Sequence, residues 1–331
     1  MQIPGFMHTL GVSLFSPTCR KGYADLYRED PPMTASDQLQ APSILLKKIL
    51  CAVDFLPGSL PAFPFAASIA RHYDGRLLLE YIDPDSEPGR HQSKTWPTSR
   101  HSQSEIEAAL ARVEDNLNDI PHEVLFDRGD VCSKLLATAR ERKMDLIVVG
   151  TQGLRGMKKL LKGSTAEQIV VLASCPVLTA GPRVDRKADF KRILCATEFS
   201  PASEHAIPYA LSLAETYNAS LIFLHVNDWS SNETPVDARP RTYSFVREQL
   251  YKSGHGPALE ARSHVKVDFG PRAALILETA ADSEADIIVM GLHTEKGIHA
   301  RISAHMPGSM MYDLISQAPC PVLTVPLPRA A

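Results

Sequence analysis

Four residues mark the chemistry open to this chain: Gly150, Gly153, Gly163 and Ser164, in the spacing G-x2-G-x9-G-S. Glycines let backbone amides approach an anion closely. Ser164 and Glu167 make an S-x-x-E capping box, the signature of a helix start. A helix N-terminus adds unpaired N–H groups and partial positive charge. Arg155, Lys158, Lys159 and Lys162 bring cationic side chains to the same loop. Such a loop suits a polyphosphate. Contacts are expected from Gly150, Thr151, Gln152, Gly153, Arg155 and Gly156 on one side and from Gly163, Ser164, Thr165 and Ala166 on the other. Most would be main-chain amides, assisted by the Ser164 and Thr165 hydroxyls. The bland alternative is an irregular connection that uses its glycines for turns.

These residues need a strand before them and a helix after them. Asp145 to Val149 is a short apolar run that reads as a buried strand ending at Gly150. The rest of the framework follows from an internal repeat. Lys48-Ile49-Leu50-Cys51-Ala52-Val53-Asp54-Phe55 recurs as Arg192-Ile193-Leu194-Cys195-Ala196-Thr197-Glu198-Phe199. Tyr73 recurs as Tyr217, the Asp145–Gly150 run as Asp286 to Gly291, and Cys175 to Thr179 as Cys320 to Thr324. The order is kept throughout, so a whole domain is duplicated. Strands are predicted over 48–53, 77–82, 123–126, 145–149 and 177–180, and in the second half over 192–196, 221–226, 264–268, 286–290 and 322–325. Helices are predicted over 59–73, 104–117, 131–141 and 164–173. Strand and helix alternate, which gives parallel sheets covered on both faces, an α/β fold.

The glycine loop, with this strand and helix around it, resembles the ATP-binding loop of the universal stress protein family, G-x2-G-x9-G-[ST]. The resemblance covers the chain from about residue 44 and identifies it as a tandem, two-domain member. It implies two doubly wound, flavodoxin-like (Rossmann-like) domains with five-stranded sheets in the order 3-2-1-4-5. That order opens a crevice between the first and fourth strands, where such sheets bind ligands. It further implies that Asp54 contacts the adenosine part of ATP, that Ala52 offers backbone contacts to the base, and that the second strand packs on adenine. Ungapped pairing of the repeat gives that last place to Ile82; a one-residue shift gives it to Tyr81. Asp54 also fits a helix cap. The expected ligand is ATP, with or without Mg2+.

The expected divisions are a mobile extension over 1–43, an ATP-binding domain over 44–182 and a second domain over 190–327. The second domain departs from the pattern. Thr294 stands where the second glycine belongs, the spacer to Gly308 and Ser309 is too long, and Glu198 replaces the Asp. It is expected to bind ATP poorly or not at all. His293, His299 and His305 in its loop read as divergence rather than as metal ligands. The resemblance pairs the two domains through their last strands, an internal pseudo-dimer, with further homo-oligomers possible.

A chain of 331 residues with net charge −3 has no global pull toward nucleic acid or anionic membranes. No apolar run reaches the ~20 residues that span a bilayer. Six cysteines without a C-x-x-C pair suit a reduced, cytoplasmic protein. No G-x4-G-K-[ST], dinucleotide fingerprint or G-x-S-x-G occurs, and no base stands ready to activate water. Binding is therefore better supported than turnover. The leading expectation is a stress-response sensor or regulator whose conformation depends on ATP. Slow ATP hydrolysis or autophosphorylation, and a nucleotide-independent scaffold or chaperone-like role, are the alternatives.

Overall fold

The computed structural model describes residues 44–53, 62–83, 111, 113, 115–151, 165–228, 234–254, 257–292 and 310–328. The N-terminal stretch over 1–43 lies outside them. In the first half, β1 (Lys48–Ala52) leads to α1 (Phe63–His72), β2 (Arg76–Asp83), β3 (His122–Arg128), α2 (Val131–Glu141), β4 (Leu146–Gly150), α3 (Thr165–Leu172) and β5 (Val177–Ala180). The second half runs β6 (Arg192–Thr197), α4 (Pro201–Thr216), β7 (Ser220–Asn227), α5 (Pro235–Lys252), α6 (Pro257–Glu260), β8 (Ser263–Phe269), α7 (Arg272–Asp282), β9 (Ile287–Leu292), α8 (Met310–Gln317) and β10 (Val322–Pro326). The expected helix over 104–117 falls mostly outside the described residues. Leu117 is past its end and fully buried. No described helix is long and apolar enough to cross a membrane.

All ten strands form one sheet, β3-β2-β1-β4-β5-β10-β9-β6-β7-β8. By chain position each half runs 3-2-1-4-5. Every pairing within a half is parallel. The near-continuous apolar runs of β1, β4, β6 and β9 follow from burial on both faces. The ends of the halves are tied alike: the Asp145 carboxylate accepts from the amides of Lys47 and Lys48, and Asp286 accepts from those of Lys191 and Arg192.

The halves join through the one antiparallel pairing, β5 on β10, with Leu178 opposite Leu323. These two leucines occupy equivalent places in the repeat, so a pseudo-two-fold axis passes between them. The hydrogen bonds obey it. Thr179 Oγ1 donates to the Val322 carbonyl at 3.2 Å, and its counterpart Thr324 donates to the Val177 carbonyl at 3.1 Å. On the α1/α4 face, Ser68 bonds Tyr217 at 3.0 Å and Tyr73 bonds Ser212 at 2.9 Å. The same residue types exchange roles across the axis, as in an isologous dimer interface. Both apolar layers run across the seam without a break. Pairing β5 with β10 also removes two open sheet edges.

Cys51, Cys132, Cys175, Cys195 and Cys320 are buried. Burial pushes the thiols of Cys51, Cys175, Cys195 and Cys320 up to about 12. The thiolate is the nucleophile, so these groups should be inert in the folded state. A Cys19→Ser protein is expected to leave Ellman's reagent unreacted at pH 8 and to release five thiols on denaturation. Rapid reaction of any thiol in the native protein would contradict the burial described here.

Candidate functional site

The crevice lies at the carboxyl ends of β1 and β4. These strands are neighbours, with Cys51 level with Val148, so Ala52 and Gly150 end side by side. From them the chain departs to opposite faces of the sheet, because α1 packs with one apolar layer and α2 and α3 with the other. Val53 donates its amide to the Glu80 carbonyl at 3.0 Å, which holds the exit of β1 against β2. Ile82, Val149 and Ala166 share one buried cluster, and Ala52 packs at its margin.

Of the predicted contacts, Ile82 and Ala166 share that cluster with Ala52 at its margin, while Gly150 ends β4 and Thr165 opens the described part of α3. The amides of a first helical turn have no partner within their own helix. Thr151 differs from expectation in one respect. Its amide donates to the Ala180 carbonyl at 3.1 Å, and its hydroxyl approaches the same oxygen at 3.4 Å. The β4–β5 ladder thus runs one residue past Gly150 and engages an amide that had been assigned to phosphate. Asp54, Gln152, Gly153, Arg155, Gly156, Gly163 and Ser164 lie outside the described residues, as do Thr294 and the three loop histidines.

Strand register removes one ambiguity. Lys48 is level with Arg76, and Arg192 with Ser220, so the repeats align without a gap. Ile82 then matches Val226, and Tyr81 matches His225. Ile82 belongs to the cluster on the crevice face, whereas Tyr81 belongs to the opposite layer.

The corresponding crevice of the second half is described apart from the loop over 293–309. It is a cavity of about 50 Å³ lined by Ala196, Glu198, Leu224, Val226, Ile276, Met290 and Gly291, among others. Ala196, Val226 and Gly291 are the counterparts of Ala52, Ile82 and Gly150. Small-molecule pockets are usually about 300–1,000 Å³, so this space is far too small for a nucleotide. Two features narrow it. A side chain on Gly291 would run into the main chain at Ala202 and Ser203, because α4 starts directly over β9. Glu198 is also held down: Ser200 Oγ donates to its Oε1 at 3.1 Å, and Arg272 Nη1 pairs with its Oε2 at 3.1 Å. Arg272 replaces Val131 of the first half, and the loop between β9 and β10 is longer than that between β4 and β5.

One residue at this level of the first half was missed by sequence reasoning. Glu80, 1% exposed, stands level with Ala52 and matches Leu224, which lines the second cavity. Thr138 Oγ1 of α2 donates to its Oε1 at 2.9 Å, and its buried Oε2 has no hydrogen-bond partner among the described residues. Burial raises its pKa above the usual carboxylate value; the Thr138 bond acts the other way, Asp127 raises it further, and Lys134 and Arg142 lower it. The signal was present as a lone acid within Leu77-Leu78-Leu79-Glu80-Tyr81-Ile82.

The raised pKa has a consequence for stability. Below about pH 4.3, the ordinary glutamate value, the carboxyl is protonated in folded and unfolded chains alike. As pH rises, the unfolded chain ionises first, so the folded state binds more protons and stability falls. Glu80→Gln abolishes this decline. Its advantage over wild type in urea unfolding should appear near pH 4.5 and grow upward through the shifted value. An advantage that is flat across pH would contradict the burial-raised carboxyl.

A family model described as Universal stress protein family matches residues 46–180 and again 189–326. Universal stress protein MJ0531 of Methanocaldococcus jannaschii is 32% identical over 140 residues, covering 40% of this chain and 81% of its own. A universal stress protein of Mycolicibacterium smegmatis is 23% identical over 233 residues, covering 69% of this chain and 76% of its own. Among solved structures, a universal stress protein from Archaeoglobus fulgidus superposes with a TM-score of 0.61 at 18% identity, over 86% of this chain and 98% of its own. That last likeness concerns the fold.

Proposed function

The chain belongs to the universal stress protein family, and from that premise we propose that its first half, over 44–182, binds ATP. The second half, over 190–327, is a degenerate partner that braces it. The observation that supports this reading is that Ala52, Ile82 and Ala166 pack together beside the adjacent ends of β1 and β4. The G-x2-G-x9-G-S loop is placed in the sequence between Gly150 and Thr165, where its amides serve a triphosphate. Asp54, two residues beyond Ala52, serves the adenosine part. Mg2+ accompanies the phosphates as a counter-ion. The small crevice of the second half, about 50 Å³, supports one nucleotide per chain.

The bound nucleotide acts as a signal. A ligand that binds one conformation better than another shifts the population toward it. The continuous seam at β5 and β10 couples a change in the first half to the second, whose outer surface is available to a protein partner. No catalytic base is assigned, so turnover is not part of the reading.

The test is nucleotide content. Protein purified without added nucleotide, then denatured and chromatographed, should release adenine nucleotide at a substantial fraction of one per chain. The double variant Gly153→Ala, Ser164→Ala should release almost none. Absence of nucleotide from wild type, together with no binding of added ATP, would overturn the proposal.

A further inference from the structure

We propose that Glu80 reads the exocyclic amine of the nucleobase and makes the first-half site selective for a 6-aminopurine. This rests on the ATP-binding reading of the first half and names its base selectivity.

Glu80 sits at the wall of that site by register. Its Cα partner is Ala52, and Ile82 follows it on the same face. Its counterpart Leu224 lines the cavity of the second half beside Ala196, Val226 and Ile276. Ile276 corresponds to Leu135, one turn before Thr138 on α2. The carboxyl group is therefore held between the strand wall and α2, at the depth where the base end of a ligand would lie.

A structural role accounts for only one of its oxygens. The duplicate shows what a purely structural polar group does at this level. Lys266 Nζ donates to Thr279 Oγ1, the counterpart of Thr138, at 2.9 Å and also pairs with Asp268 at 3.2 Å. Its side chain is 41% exposed, so water completes its contacts. Glu80 has no such outlet. Oε1 is committed to Thr138, while Oε2 is buried without a partner. A buried polar atom left without a partner is costly, and a ligand donor would recover that cost.

The chemistry selects the donor. In the ionised carboxylate, Oε2 accepts a hydrogen bond from an amino group and repels a carbonyl oxygen. Adenine carries an amine at position 6; hypoxanthine carries a carbonyl there and is otherwise closely similar. A site built to hydrogen-bond one group rejects an analogue that lacks it much more strongly than an apolar pocket does.

The experiment compares ATP and inosine triphosphate on the full chain by titration calorimetry. Wild type should bind ATP at least about tenfold tighter, the equivalent of one good hydrogen bond. In Glu80→Gln, Thr138 keeps the amide oxygen, and the amide N–H2 takes the place of Oε2. This variant is isosteric with wild type and should prefer inosine triphosphate. Glu80→Leu, the residue of the duplicate, should bring the ratio to about one. If wild type binds neither nucleotide, the ATP site and the assignment fall together. If ATP binds and the ratio is the same in wild type and both variants, the ATP site stands and the assignment of Glu80 is wrong.

Discussion

A leucine at Ala52 removes most ATP binding from the full chain while the fold survives. Ala52 ends β1 half-buried, at the margin of the cluster that holds Ile82, Val149 and Ala166. Its counterpart Ala196 lines the second cavity, so the position faces the crevice and not a sealed core. Three added carbons would occupy the place of the base. Overpacking costs roughly 1–3 kcal/mol where the surroundings must yield, and each 1.4 kcal/mol is about tenfold in affinity. The affinity for ATP is therefore expected to fall by on the order of a hundredfold. The melting temperature should change by only a few degrees. The equivalent change, Ala196→Leu, should leave ATP affinity unaltered. Equal losses from both changes would place nucleotide in both halves; no loss from Ala52→Leu would move the base away from β1.

The largest effect on stability is expected at the seam. Leu178 and Leu323 face each other across β5 and β10 and are fully buried in one apolar layer. Truncating a core leucine to alanine costs about 2–5 kcal/mol, a large share of the 5–15 kcal/mol that stabilises an ordinary domain. Leu178→Ala and Leu323→Ala should each lose that much in urea unfolding. Because the two side chains are paired, the double variant should lose less or more than the sum. Each single variant should also unfold both halves together. Two separated transitions in wild type would show that the seam does not couple the halves.

The architecture was legible because duplication wrote it twice. The β5 and α2 ranges match expectation, since short apolar runs and clear helical periodicity leave little room for other readings. Several other strands run a residue or two further than expected, as at Arg76 and Asp83, because the ladder extends into polar residues that pattern alone leaves out, while β1 ends one residue early and β4 and β9 start one late. The pairing of Tyr73 with Ser212 and of Tyr217 with Ser68 was not legible. Both tyrosines stood out as a repeat, but their partners lie across the pseudo-axis, 139 and 149 residues away.

The site was legible in part. Glycine spacing and the acid after β1 depend on local chain geometry, which sequence records. The narrowness of the second crevice depends on Arg272 reaching Glu198 and on α4 passing close over Gly291, contacts between distant segments. Glu198 stands out in sequence only as a replacement for the Asp; its ties to Ser200 and Arg272 at the cavity wall were not legible. Glu80 was passed over because a lone acid in an apolar strand carries no spacing pattern, and its meaning came only from register with Leu224.

The central claim is that a single nucleotide sits in the front half, and calorimetric titration of ATP into nucleotide-stripped full-length protein tests it most directly. The predicted result is one ATP per chain, lost in Ala52→Leu and retained in Ala196→Leu. Two sites per chain, or one site that only the Ala196 change destroys, would contradict it.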